Sequence, residues 1–359
     1  MSDMENLRGE IDKIDEAIIN LIDSRAEIAE KIFKEKLEIG LPTFSPKRET
    51  QIIDFISKFQ SKRVTKEDLR NIFLEIVSAC RKLGVDEKLV IYGEKFGLSH
   101  NAARIQYGKP IPMTFKWQWR QVLSTLDEKS APSAFIAFDI RNPDFSLLLE
   151  DFISGKIRIV SESLQIPKFA LVSKSCKSFF DVSEILIPRE FFQMLREWAN
   201  SLNIPVKITL CNYEEEAFEN LLESRPIAAI LPQQIAQDQD LNCLQSEIIP
   251  SDKFALRFLT ISNWDKKSEY EMDSSKGTLL VASNSSSSDI LNVCEILKSS
   301  DFLLSEIYSF HFFDKPFNKI FWIDFENVLK KGNISNIINQ IKKTNPFVAF
   351  AGFYHSVKM

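Results

Sequence analysis

The chain has 359 residues, 44% of them hydrophobic and 26% charged, with a formal net charge of -5. Its length allows two or three domains with buried cores, and its composition is that of an ordinary globular protein. The acidic balance and the lack of any Lys/Arg-rich run argue against nucleic acid as a partner, and no stretch approaches a membrane span. The N-terminal MSDMENLRGE carries no apolar leader core. Cys80, Cys176, Cys211, Cys243 and Cys294 are odd in number and contain no CxxC pair, which fits a reducing cytoplasm rather than a disulfide framework. His100, His311 and His355 are far apart in sequence, so neither a metal centre nor another cofactor is expected. The 29 phenylalanines against 10 glycines carry no functional reading.

In chain order, Leu7, Ile11, Ile14, Ile18, Leu21, Ile22, Ile28 and Ile32 recur at three- and four-residue steps and predict a helix over residues 5–39. Gly40 and Pro42 stop it. Thirty-odd residues is about three times an average helix, and such a stripe needs a bundle or an intertwined dimer to cover it. Ser45-Pro46 opens a second helix reaching about Gln60, and Thr65-Lys66-Glu67-Asp68 opens a third that runs to about Leu83, with Gly84 as its stop.

The texture changes at Lys88. KLVIYG, SAFIAFDI, KFALVS, VKITLC, IAAILP and LRFLTIS read as buried strands, and EFFQMLREWANSL and EEEAFENLLES as helices, which predicts an α/β region. The polar stretch Asn263 to Lys276 reads as a linker. Beyond it, TLLVAS, a helix over residues 290–298, LLSEIYSFHF, KIFWIDF, a helix over residues 334–343 and FVAFAGFYHS follow the βαββαβ order of a ferredoxin-like unit.

Cations stand out on the first two helices. Arg25 and Lys36 are eleven residues apart, about 20° of rotation and roughly 16 Å of rise, so they share a helix face. Arg8 lies roughly 100° off that face and would more easily serve a neighbouring subunit. In Ser45-Pro46-Lys47-Arg48-Glu49, two cations occupy a first helical turn, where they oppose the macrodipole. The row reads either as a solvated face or as a site for a compact dianion.

LRGEIDKIDEAIINLIDSRAEIAEKIFKEK followed by SPKRE resembles the helical chorismate mutases, specifically the N-terminal domain of bifunctional chorismate mutase/prephenate dehydratases, the P-protein family. VIYGEKFGLSHNAA is similar to the opening of the family's dehydratase domain, LRFLTIS stands where the family has Thr-Arg-Phe, and the C-terminal unit resembles its ACT domain. The resemblance implies a three-helix mutase domain over residues 1–86, forming an intertwined dimer. After it would come an α/β, periplasmic-binding-protein-like dehydratase domain over residues 87–264 and an α+β, ferredoxin-like ACT domain over residues 275–359. It implies that Arg25, and Arg8 from a second subunit, grip the carboxylates of chorismate. Lys36 would meet the ether oxygen and a carboxylate, Arg48 would support that wall, and Glu49 would accept from the ring hydroxyl. Ser45, Cys80 and Gly84 fall at substrate-binding positions. Gly84 departs from the family's Gln or Glu there and puts the rate in doubt, unless Lys82 or Asp86 substitutes.

Departures accumulate downstream. The family's Thr-Arg-Phe is Leu256-Arg257-Phe258, and its Glu-Asn-Ser/Thr is Arg141-Asn142-Pro143. Its Ser-His-Pro-Gln is Leu186-Ile187-Pro188-Arg189, and its Ser/Thr-rich turn is Cys211-Asn212-Tyr213-Glu214. Ser99 and His100 remain, and they read equally as a helix N-cap beside a partly buried histidine. The ACT effector motifs have become Ser288-Asp289-Ile290-Leu291 and Tyr308-Ser309-Phe310-His311, which argues against phenylalanine feedback. The expectation is therefore a cytoplasmic, dimeric chorismate mutase carrying a retired dehydratase and ACT scaffold. The competing readings are an active bifunctional enzyme and a noncatalytic sensor of an aromatic-pathway metabolite.

Overall fold

A computed structural model describes the chain except for residues 1–2, 39–47, 49–50, 53–54, 57, 60, 83–87, 109–110, 128–132, 141, 203–204, 224, 249–254, 264–275, 284–287, 312–318, 327–333, 346 and 359. Helix α1 (Asp3–Glu38) runs for 36 residues without a buried one. Its half-buried positions Ile22, Arg25, Ala26, Ala29, Phe33 and Lys36 recur at helical spacing along one face. Helix α2 (Lys66–Lys82) packs against α1. Thr65 caps it, its hydroxyl accepting from the Asp68 N–H at 3.1 Å. Most of the helix expected from Pro46 to Gln60 lies outside the described residues.

The α/β body has two lobes. The first contains β1 (Leu89–Tyr92), α3 (Leu98–Tyr107), β2 (Met113–Lys116), α4 (Trp119–Leu126), β3 (Ser133–Ala137), α5 (Phe145–Ile153) and β4 (Arg158–Gln165). The chain then builds the second lobe from β5 (Phe169–Ser173), β6 (Glu184–Pro188), α6 (Arg189–Ser201), β7 (Lys207–Cys211), α7 (Glu214–Leu221), β8 (Ile227–Pro232), α8 (Gln233–Asp238) and β9 (Asn242–Gln245). It returns to the first lobe through β10 (Leu256–Ser262), which lies antiparallel between β3 and β4. The second lobe's five-stranded sheet has the order β7-β6-β8-β5-β9. One apolar core crosses between the lobes, joining Ile91, Phe135 and Phe258 to Phe169, Ile185 and Phe191.

The C-terminal segment follows as β11 (Lys276–Ser283), α9 (Ser288–Ser299), β12 (Leu303–His311), β13 (Lys319–Glu326), α10 (Ile334–Thr344) and β14 (Val348–Lys358). Its strands extend the first lobe into a single nine-stranded sheet, β12-β13-β11-β14-β4-β10-β3-β1-β2. The junction is β14, antiparallel to β11 through residues 348–354 and parallel to β4 through residues 355–358. The polar linker ends earlier than expected, because Lys276 is buried at the start of β11 with its ammonium 2.9 Å from Glu162 Oε1.

Candidate functional site

Two regions gather polar chemistry. On α1, Arg25 and Lys36 lie on the half-buried face, whereas Arg8 is exposed in the first turns of the helix. Arg48 is exposed and donates to Gln51 Oε1 at 3.3 Å. Cys80 is buried on α2. Ser45, Glu49 and Gly84 lie outside the described residues.

The second region is an open cleft of about 350 Å³ between the lobes. It sits at the carboxyl ends of β1, β3 and β6, where parallel α/β sheets place their ligands. One wall consists of Tyr92, Gly93, Glu94, Gly97, Leu98 and Ser99 with Asp139 and Asn142; the other is Arg189, Glu190 and Gln193 at the start of α6. The segment between β1 and α3 turns sharply, with Gly93 at φ 135° and Phe96 at φ 69°. His100 secures that turn, its Nδ1 accepting the Phe96 N–H at 3.0 Å while its ring meets Phe115 edge-on. Burial, with Arg104 and Lys95 nearby, pulls His100 down to about 4, so the imidazole is neutral at physiological pH and one nitrogen is already engaged. The N-cap of α3 is Gly97, not Ser99, and it makes no side-chain cap bond.

The cleft is acidic. Burial, followed by Glu215 and Glu190, raises Glu94 to about 7. Behind Gly97, Glu214 is 2% exposed, and burial together with a hydrogen bond to Glu190 raises its carboxyl well above the usual range. Glu214 Oε1 has no hydrogen-bond partner, and Oε2 lies 3.5 Å from where a side chain on Gly97 would begin. Tyr92 is raised by burial, and its hydroxyl lies 2.9 Å from Asn142 Oδ1 and 3.0 Å from Asp144 Oδ2.

Ser99 and Asn142 are the residues from the expected dehydratase set that line the cleft. His100 supports the wall from behind. Leu256 is half-buried at the start of β10, Phe258 stacks on Phe135 in the core, and Arg141 lies outside the described residues. Arg257 is not among the lining residues. Its guanidinium lies 2.6 Å from Glu162 Oε2 and 2.6 Å from Asp324 Oδ2, between the first lobe and the C-terminal strands. Arg189 and Glu94 stand within quoted motif stretches but carry no expected role there, and Glu190 lies outside those stretches. They are contributed by segments about ninety residues apart, and no local motif links them.

The chain thus pairs a helical N-terminal region carrying spaced cations with a two-lobed α/β body that holds an interlobe cleft. Residues 7–85 match the family model for chorismate mutase type II. The bifunctional chorismate mutase/prephenate dehydratase of Aquifex aeolicus (strain VF5) is 25% identical over 360 residues, covering 99% of this chain and 98% of that protein. The Pseudomonas aeruginosa protein of the same name is 23% identical over 274 residues, covering 72% of this chain and 73% of the other. Among solved structures, prephenate dehydratase from Arthrobacter aurescens in complex with L-Phe superposes with a TM-score of 0.63 at 18% identity, over 75% of this chain and 90% of that one. Residues 7–85 therefore match a chorismate mutase domain, and the chain along nearly its whole length is similar to bifunctional chorismate mutase/prephenate dehydratases.

Proposed function

We propose that the protein is a chorismate mutase whose dehydratase and ACT units persist as scaffold. The observation that carries this reading is the match of residues 7–85 to the chorismate mutase model, which encloses Arg8, Arg25, Lys36, Arg48 and Glu49. Conversion of chorismate to prephenate is pericyclic and needs neither nucleophile nor proton transfer. Catalysis comes from holding the substrate in a near-attack conformer and stabilising charge that grows on the ether oxygen. In this assignment Arg25, with Arg8 of a second copy, grips the two carboxylates as guanidinium forks, and Lys36 aims a point charge at the ether oxygen. Arg48 and Glu49 complete the site.

For the cleft, the same reading holds that dehydration has been lost. Prephenate is a dianion, and Glu94, Asp139 and Glu190 line the cleft with Arg189 as the one lining cation among the described residues. Leu256 offers no hydrogen bond where the family has threonine, and Arg257 is committed to Glu162 and Asp324. The order and pairing of β11 to β14 support an ACT-like, ferredoxin-type unit in a structural role.

The test follows chorismate loss, prephenate formation and phenylpyruvate formation separately in the purified protein. Prephenate is expected to accumulate without phenylpyruvate above background. Arg25→Ala or Lys36→Ala should lower turnover by about 10²-fold or more, each removing a group aimed at substrate charge, with helical content unchanged. Near-wild-type rates in both variants would show that the site assignment is wrong, and saturable dehydration would make the enzyme bifunctional.

A further inference from the structure

The cleft keeps the architecture of a binding site although its charge opposes a dianion. It has a volume of about 350 Å³, a glycine-bounded turn and two walls from different lobes, which is room for a ligand of amino-acid size. Its polar groups fall into two opposite sets. Arg189 lines one side, and on the other stands the N-terminal turn of α3, whose N-cap, Gly97, has no side chain to cap it. Glu94 and Glu190 supply the negative set, and Glu214, buried behind Gly97, stands beside Glu190 and is hydrogen-bonded to it. Burial keeps Glu214 in its protonated form, so the Glu214–Glu190 pair presents its negative charge on Glu190, the member that lines the cleft.

We propose that the interlobe cleft binds a small zwitterion of the α-amino-acid class, its ammonium held by Glu94 and Glu190 and its carboxylate by Arg189 and the first-turn N–H groups of α3. The exclusion of prephenate rests on the reading above that dehydration is lost; the assignment of the mutase site is independent of it. Charge-assisted contacts at both ends select a zwitterion over a plain acid or a plain amine. Binding strengthens as pH rises from 6 to 8, because Glu94 titrates near 7 and its anion is the form that attracts an ammonium. The charges facing Glu94 are Glu190 and Arg189 from α6, Glu214 and Glu215 from α7, and Asp139 beyond β3, with Lys95 beside it in sequence. Lys95 leans over the Phe96 ring, its ammonium 4.9 Å from the centroid.

Calorimetric titration of the full chain with each common L-amino acid at up to millimolar concentration is the test. At least one should bind, and its counterpart lacking the amino group should bind about tenfold or more weakly. Glu94→Gln, which is nearly isosteric, and Arg189→Met, at an exposed position, should each weaken binding about tenfold or more. Glu94→Gln should also remove the rise in affinity between pH 6 and 8. Absence of binding by every amino acid, equal binding of the deaminated counterpart, or indifference to both variants would overturn the proposal. Prephenate is titrated in parallel with phenylpyruvate monitored. Turnover there would sink the loss of dehydration, whereas a missing amino-acid signal without turnover would sink the zwitterion site alone.

Discussion

Arg257 is a residue whose position in a motif and whose surroundings lead to different conclusions. Its motif suggests a place beside a substrate, yet its guanidinium is enclosed by acids on two other strands, Glu162 of β4 and Asp324 of β13. It also lies over the rings of Phe138 and Trp322, 4.9 and 5.6 Å from their centroids. Lys276 closes the group, 2.9 and 3.0 Å from the two Glu162 oxygens, so two cations face two acids that are completely buried. Thr278 and Trp322 Nε1 donate to Asp324 Oδ1 and Ser356 to Glu162 Oε1, the half-exposed Glu306 stands 3.7 Å from the guanidinium, and Arg257 Nε makes no hydrogen bond. Two buried cations set against two buried acids are tolerated in a core, but removing one member strands a charge, at about 3–5 kcal/mol. Asp324→Asn should therefore lower the denaturant midpoint by an amount equivalent to about 3 kcal/mol or more. Adding Arg257→Met should recover part of that loss, since no uncompensated guanidinium is then left. Additive losses in the double variant would mean that the group does not act as a unit.

At the scale of elements, the strand that joins the C-terminal unit to the body depends on one glycine. Gly352 has φ +133°, and a Cβ there would meet the Ile159 carbonyl oxygen at 2.5 Å, a backbone atom of β4 that has little freedom to move. It stands at the irregularity where pairing with β11 shifts, just before β14 turns to β4. Gly352→Ala should cost about 2–4 kcal/mol, combining backbone strain with overpacking, as read from chemical denaturation; an unchanged midpoint would show that the junction is not tight. How legible each element was depended on what it buries. IAAILP and KFALVS are apolar on both faces and read directly as β8 and β5, and the period of α1 predicts its extent to within two residues at each end. Strand β4, RIVSESLQ, gives no strand signal because its buried residues include Ser161, Glu162, Ser163 and Gln165, whose polarity resembles a loop. Partners such as Lys276 and Ser356, more than a hundred residues away, make that burial possible. The cleft divides in the same way: the turn from Gly93 to Ser99 is a local signal, whereas Arg189 and Glu190 reach it only through folding of the second lobe.

At the scale of the whole molecule, the N-terminal half of α1 leaves an apolar stripe exposed on the single chain. The C-terminal half leans on α2, but residues 3–21 are exposed except for a half-buried Gly9. Leu7, Ile11, Ile14, Ile18 and the more distal Ile32 form a stripe between 47% and 59% exposed. A 36-residue helix spans about 54 Å, and an apolar stripe of that length is the kind of surface that pairs. In a two-fold pair each α1 would cover the other's stripe and carry Arg8 toward the partner's Arg25. Such a site needs Arg8 from one copy and Arg25 from the other. Arg8→Ala and Arg25→Ala would then each be inactive alone yet complement on mixing. After unfolding and joint refolding of equal amounts, random pairing makes half the dimers mixed, and each mixed dimer holds one intact site and one doubly defective site. About a quarter of the wild-type rate should return, while light scattering gives at least twice the 41.4 kDa of one chain. A mixture no more active than either parent, or a single-chain mass at micromolar concentration, would place the whole site within one copy and leave the stripe on α1 to another purpose.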